Sequence, residues 1–517
     1  MNVKKGVFAC NTSTGNQSVT GVGFQPKAII LWGVKLTSNN TFESGDNAFW
    51  FGAGTSATQR WVIAGAADDG VTTSNTGRYM ASNEIIRVLA SGTPTTDAIA
   101  DLVSFDADGF TINWSVAPSS AWKCHYLALG GDSIINAKSG VAQANPGTTT
   151  QITGVGFQPS FVVTASNRFV ANANSSTQSF GLGFASGTAT NAQAVIWNRS
   201  RDGQTTTNNI SYQAEGYVFA VPADTAAAHA WRGSLASFDA DGFTISWNVS
   251  QVTPQDFVYI ALQGGSYRVI TETQRTGTTG TKSTTGVGFN PRGALFASWG
   301  RTASSSIDNS QARLTVSASD GTNEGGFWWQ SAANVTTTDL DQKSFTDKAL
   351  LLATQPSTTD AEAEVASFTA DGFTLNWTTV ADSNARQFIA VLFGDGPVTT
   401  ATETDTAVAA GRRKTRVVSP VVDAQTTLTL GSIHQRAVTT ATETDTAVAA
   451  GRRKTRVVSP VVDAQTTLTL GSIHQRAVTT ATETDTARII KVEAKIVTMA
   501  FDHPAPVASS FDARTPD

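Results

Sequence analysis

Ser104-Phe-Asp-Ala-Asp-Gly-Phe-Thr-Ile-Asn-Trp114 reads as a tight turn running into a strand. Phe110, Ile112 and Trp114 alternate with Thr111 and Asn113. That period of two sends one face of a strand into a core and the other toward water. The Ala-Asp-Gly ahead of it is a turn signal, because glycine supplies the positive φ that a tight reversal between strands requires. The stretch returns as Ser237–Trp247 and again as Ser367–Trp377.

Working outward, other blocks return in the same order. Gly21-Val-Gly-Phe-Gln-Pro26 recurs at Gly154–Pro159 and, with Asn for Gln, at Gly286–Pro291. A weaker block recurs as Val71-Thr-Thr, Gln204-Thr-Thr and Val335-Thr-Thr. Successive copies are offset by 130 to 133 residues, a spacing of whole domains and not of a short-repeat solenoid. The boundaries fall near 1–131, 132–265 and 266–396. Each copy closes on a more continuous apolar run, such as Tyr126-Leu-Ala-Leu129, which fits a central strand covered on both faces. The expected fold is all-β: three tandem β-sandwich modules of jelly-roll or lectin-like type, with no long helical period in competition.

The register changes at Pro397. Residues 398–437 are repeated without change at 438–477, and Val-Thr-Thr-Ala-Thr-Glu-Thr-Asp-Thr-Ala begins a partial third unit at 478. Such identity points to recent duplication of the coding segment. Thr404–Ala409 and Arg412–Val418 flanking Ala410-Gly411 read as a hairpin, which would set Asp405 opposite Arg416 and Asp445 opposite Arg456. Residues 397–517 are therefore expected to be a β-hairpin repeat tail whose units, poor in large apolar residues, stack on each other or pair with other chains.

Composition supports strands. Charged residues are 15 % of the 517, Gly numbers 44, Trp 12 and Met only 3. A net charge of −5 gives no overall attraction to nucleic acid or anionic lipid. The start, Met-Asn-Val-Lys-Lys-Gly-Val-Phe-Ala-Cys, has two lysines without an apolar h-region after them, and no secretory signal or membrane insertion is expected. Cys10 and Cys124 form no disulfide framework; two buried thiols are expected, although a bridge between neighbouring strands is compatible with the spacing.

The groups that could be reactive all have structural roles in the expected fold. Asp106-Ala-Asp108 begins like a calcium loop but lacks the later ligands and the closing Glu, and the third copy has Thr369 in place of Asp106. The five histidines show no metal-ligand spacing, and His125 follows Cys124 directly in a strand, so the two side chains point to opposite faces. Ser120-Ala-Trp-Lys123 matches Ser-x-x-Lys only as a four-residue string. Arg412–Arg416 lies on an expected strand with Glu403 and Asp405 close in sequence and no interleaved aromatics, the pattern of a solvated or ion-paired face. No catalytic residue, metal ligand or cofactor is expected.

Aromatics are the better lead. Trp197 and Trp328 stand seven residues before the Thr-Thr block, while the first copy has Ala64 there and Trp61 nearby. Trp61, Trp197 and Trp328 are the candidate platforms for a sugar ring, with Trp50 and Trp329 behind them. Trp114, Trp247 and Trp377 belong to the alternating strand and are assigned to the core.

The Gly-Val-Gly-Phe-Gln-Pro-Lys-Ala-Ile-Ile and Asp-Gly-Phe-Thr-Ile-Asn-Trp blocks resemble modules of structural proteins in tailed bacteriophages. The Ala-Thr-Glu-Thr-Asp-Thr-Ala repeat is similar to one in minor tail proteins, especially of phages infecting actinobacteria. The modules are also distantly similar to H-type lectin sandwiches, with no sugar-binding motif to carry over. The resemblance implies a non-enzymatic virion component, assembled in the host cytoplasm, of the tail or its fibres. Its expected partners are other virion proteins, further copies of itself (a trimer among the options) and a host-surface glycan. A capsid decoration or head-fibre protein is the first alternative, and a polysaccharide depolymerase the second.

Overall fold

The structure, a computed structural model, describes residues 1–168, 172–302, 306–354, 358–381, 383–395 and the strands lying between 401 and 499. Two compact units divide the chain, Met1–Pro397 and Val398–Asp517.

In the first unit the chain begins β1 (Asn2–Ala9), β2 (Gly15–Thr20), β3 (Pro26–Val34), β4 (Glu43–Ser44), β5 (Asn47–Ser56) and β6 (Gln59–Ala67). It continues β7 (Thr76–Ala81), β8 (Ile86–Leu89), β9 (Thr96–Asp106), β10 (Gly109–Val116) and β11 (Lys123–Gly130). A large sheet runs β1-β11-β3-β5-β6-β7 and a small one β2-β10-β9-β8, antiparallel throughout. The same six-plus-four order recurs over residues 134–264 and 266–394. The fold is all-β, built from sandwiches, as the period of two indicates.

The two motifs that recur in each copy meet in space. The turn aspartate Asp108 accepts hydrogen bonds from the N–H groups of Gly21 (3.0 Å) and Gly23 (2.5 Å). Asp241 does the same for Gly154 and Gly156 at 2.9 and 2.5 Å, and Asp371 for Gly286 and Gly288 at 3.0 and 2.6 Å. Both glycines of each Gly-x-Gly have positive φ, 76° to 89°, which lets successive N–H groups converge on one carboxylate. The next glycine is required for another reason. A Cβ on Gly109 or Gly242 would lie 1.9 or 2.0 Å from the carbonyl oxygen of Val19 or Ile152 on the adjoining strand. The Asp-x-Asp stretch is thus a hairpin clasp.

Each sandwich has its own core between its sheets, where Phe110, Ile112 and Trp114, then Phe243, Ile245 and Trp247, then Phe373, Leu375 and Trp377 are buried. The other faces of the three large sheets are buried along their central strands. Trp32, Phe49, Phe180, Leu314, Phe327 and Trp329 belong to one further apolar cluster drawn from all three sandwiches. Burial of both faces accounts for the near-continuous apolar runs in β3 and β11.

Edges are closed cyclically. Strand Ala173–Ser176 of the second sandwich pairs with β7 of the first. β4 of the first pairs with Leu340–Phe345 of the third, and Asp308 of the third bridges to Ser211 of the second. At the opposite edge the contacts run the other way around. The N–H of Ser139 donates to Thr55 Oγ1 (2.9 Å), that of Val269 to Ser186 Oγ (3.0 Å) and that of Lys5 to Asp320 Oδ2 (3.1 Å). The sandwiches therefore form a ring in which each large sheet touches one neighbour at one edge and the other neighbour at the opposite edge.

The second unit corrects the expected hairpin tail. Its described strands form two five-stranded sheets, and every pairing among them is parallel. Ala401–Ala407 pairs with Val421–Thr427, and Arg413–Val418 with Ile433–Val438. Asp405 is level with Gln425, and Arg416 with Arg436, so the expected Asp405–Arg416 pairing does not occur. Alternating polar and small residues read alike in parallel and antiparallel strands. The usable signal was a half-repeat: Gly411/Gly431, Arg416/Arg436 and Val418/Val438 each stand 20 apart, so the chain returns in register over itself. The Ala410-Gly411 turn itself lies outside the described residues.

Candidate functional site

The three tryptophans singled out as sugar platforms are core residues. Trp61 and Trp197 are 0 % exposed and Trp328 is 1 % exposed. Trp61 donates its indole N–H across a seam to the carbonyl of Tyr259 at 2.8 Å. Trp197 donates to Nδ1 of His229 at 3.1 Å and stacks on Tyr212, with ring centroids 5.6 Å apart. Trp328 meets the ring of Phe42 edge-on at 5.3 Å. Trp50 and Trp329 are buried as completely. An indole with no free face cannot stack on a sugar ring. Sequence patterning missed this because the large sheets bury both faces, so position near a polar loop does not imply exposure.

The weak Thr-Thr block acquires a role. In each sandwich it joins the strands equivalent to β6 and β7, and the three loops interlock around the ring. Gly70 N–H donates to the carbonyl of Thr338 and Val71 N–H to its Oγ1, while Thr338 N–H returns to the carbonyl of Val71, at 2.9 to 3.0 Å. Gly203 and Gln204 make the same contacts with Ser74 at 2.7 to 2.8 Å, and Asn334 and Val335 with Thr207 at 2.8 to 3.1 Å. Ser74, Thr207 and Thr338 are buried, whereas the preceding pairs Thr72-Thr73, Thr205-Thr206 and Thr336-Thr337 are exposed. The sequence showed these blocks as a repeat without showing that the copies touch.

A cleft of about 600 Å³ opens at the seam between the first and third sandwiches, lined in part by Lys4, Lys5, Tyr126, Asn323, Glu324 and Glu364. Lys5 Nζ donates to the carbonyl of Glu324 at 2.7 Å, and burial pulls its pKa down to about 8. The Glu324 carboxyl accepts from Val365 N–H (2.7 Å) and Ser319 Oγ (3.2 Å), and burial pushes its pKa up to about 7. The matching position in the second sandwich is Gln193, whose Oε1 accepts from Leu235 N–H at 2.7 Å. Glu324 thus places an acid where the parallel site holds an amide.

The remaining candidates keep structural duties. Cys10 and Cys124 are free, buried thiols, each with its pKa raised by burial. Cys124 packs within the first sandwich, while His125 faces the third, its Nε2 3.0 Å from Ser344 Oγ. Burial holds the His125 pKa well below the usual histidine range, which keeps the ring neutral. Among the described residues no group of three or more His, Cys, Asp or Glu is placed to hold a metal ion.

A second cluster, at the seam of the first and second sandwiches, has no counterpart in the sequence reading. Arg78 (β7) and Arg168 both pair with Asp224, the former at 2.8 Å. Arg199 is fully buried beside them and donates to the carbonyls of Ala223 (2.6 Å) and Ala226 (2.8 Å) and to Asn208 Oδ1. These arginines do not occupy matching repeat positions, so no periodic signal points to them.

No family model matches this chain, and no curated protein matches it. Among solved structures, PNGF-II in a P21 space group aligns over 72 % of this chain and 99 % of that chain at 7 % identity and a TM-score of 0.18, a likeness that carries no argument.

Proposed function

We propose that the chain is a structural component of a tailed-phage virion, of the tail or its fibres, whose ring of sandwiches is a rigid head for weak, repeated contact with host-surface glycans. The observation that supports this most is the cyclic closure: each large sheet touches a different neighbour at each edge, and their inner faces share a core. A head closed in this way presents related surfaces three times around one body. Repetition of weak sites raises avidity without requiring a tight single site. The parallel-strand repeat that follows Pro397 fits contact with other virion proteins.

Labelled antibody against the chain, imaged on intact particles by electron microscopy, tests the assignment. Label along the tail supports it, label on the capsid favours the decoration or head-fibre reading, and unlabelled particles overturn the virion reading.

One observation favours a depolymerase instead. A buried carboxylic acid with a raised pKa in a cleft, as Glu324 is, has the character of a general acid in glycoside hydrolysis, and Glu364 supplies a second carboxyl in the same cleft. Release of oligosaccharides from host cell-wall polysaccharide by the wild type, lost in Glu324→Gln, would establish that reading over the non-enzymatic one.

A further inference from the structure

We propose that the arginine cluster at the seam of the first and second sandwiches binds an oxyanion, a phosphate diester or a carboxylate carried on a host-surface polymer. The inference deepens the glycan-contact reading above and rests on it for its biological setting. Three observations carry it.

The first is a local excess of cations. Arg78, Arg168 and Arg199 gather around the loop that follows Phe219–Pro222, with Arg201 close enough to act on Arg199, and Arg78 and Arg168 share a single carboxylate, Asp224. The second is unused donor capacity. Arg199 is fully buried, and among the described residues its three hydrogen bonds go to neutral oxygens and its Nε has no hydrogen-bond partner. The Nε of Arg168 is likewise buried and has no hydrogen-bond partner among the described residues. A guanidinium fork with a donor to spare suits a planar carboxylate or a phosphate. The third is backbone conformation. Arg168 sits at φ 59°, a left-handed geometry unusual for a side-chain-bearing residue, and is steadied there by a 3.1 Å bond from its N–H to Ser166 Oγ. That geometry brings Arg168 to Asp224 with 23 % of its side chain still exposed, while Asp224 is 36 % exposed. Asp224 then acts as a built-in competitor, holding the place of the incoming anion.

The test uses the full-length chain at fixed ionic strength. Sodium phosphate is titrated calorimetrically, and binding to poly(glycerol phosphate), polygalacturonate and neutral dextran is measured in parallel. Saturable binding of phosphate or of an anionic polymer is expected, and the preferred polymer tells phosphate from carboxylate as the source. Arg168→Asn, a residue that accepts left-handed backbone, should weaken binding by about tenfold or more. Asp224→Asn should tighten it. Both variants are checked for an unchanged unfolding temperature, and Arg168→Lys, which keeps the charge, should retain part of the affinity. No saturable binding of any oxyanion probe, undiminished binding in Arg168→Asn, weakened binding in Asp224→Asn, or equal capture of dextran would each overturn the site. A chain found on particles that binds no oxyanion would sink this inference and leave the virion reading standing.

Discussion

The indole N–H of Trp61, in the first sandwich, donates to the backbone carbonyl of Tyr259, in the second, at 2.8 Å. One side chain thereby links two sandwiches through a buried polar contact, at a position whose ring is also packed against Phe51. Trp61→Ala should remove the packing and leave that carbonyl without its partner. We expect a loss of about 3–5 kcal/mol, and a smaller loss of about 1–2 kcal/mol for Trp61→Phe, both read from denaturant unfolding. Any binding of host glycan by the folded fraction should be unchanged, since the ring is inaccessible.

Gly242 bears φ 145° and lies so close to Ile152 that an added Cβ would come within 2.0 Å of its carbonyl. Gly242→Ala must push the hairpin off the neighbouring strand, at a cost on the order of 3 kcal/mol. Amide hydrogen exchange should show Thr149–Ile152 and Gly242–Val249 losing protection first.

The interlocked loops make a direct test of ring closure. Ser74→Ala, Thr207→Val and Thr338→Val each remove the hydroxyl that accepts from the neighbouring sandwich. Each should cost about 1 kcal/mol, and the triple variant roughly the sum. Stability should fall while the sandwich cores keep their near-ultraviolet circular dichroism. An unchanged triple variant would show that the shared apolar core alone holds the ring.

Glu324 sets a pH dependence at the seam of the first and third sandwiches. Its folded pKa of about 7 lies above the ordinary glutamate value of 4.5, so the folded state keeps a proton that the unfolded chain has released. Its contribution is most favourable below pH 4.5 and is lost as pH rises toward 7, by roughly 2–3 kcal/mol. Glu324→Gln, which copies the neutral Gln193, should flatten that slope and raise stability at pH 7.5. Lys5 adds the opposite trend at higher pH, because its folded pKa of about 8 lets the folded state shed a proton before the unfolded chain does. Unfolding free energies measured from pH 4 to 9 on both proteins would check it.

The thiols give a simple control. Cys10 and Cys124 are free and buried, with the thiolate disfavoured at both. A thiol-specific reagent at pH 7.5 should leave both unmodified in the native chain and react with both after unfolding.

Much of this protein was legible in its residues. Alternation at Phe110, Ile112 and Trp114, repeated at Phe243 and Phe373, is a local consequence of strand geometry and needs no knowledge of neighbours. The Gly-x-Gly and Asp-Gly pairs carry their backbone requirement in their composition, although that Asp108 clamps Gly21 and Gly23 became visible only when the strands were brought together. The tail departed from expectation because in-register parallel pairing depends on which strand lies alongside, and the pattern within one strand does not encode that.

The sequence by itself determined the strand content, the repeat of its motifs and the turn chemistry, because those depend on side-chain period and on φ at single residues. The tertiary structure alone decided which aromatics face water, how the sandwiches close into a ring, and where Lys5, Glu324 and the arginines gather. Burial and charge proximity arise between residues hundreds of positions apart. Trp61 and Tyr259 carry no mark in their local sequence that they will meet.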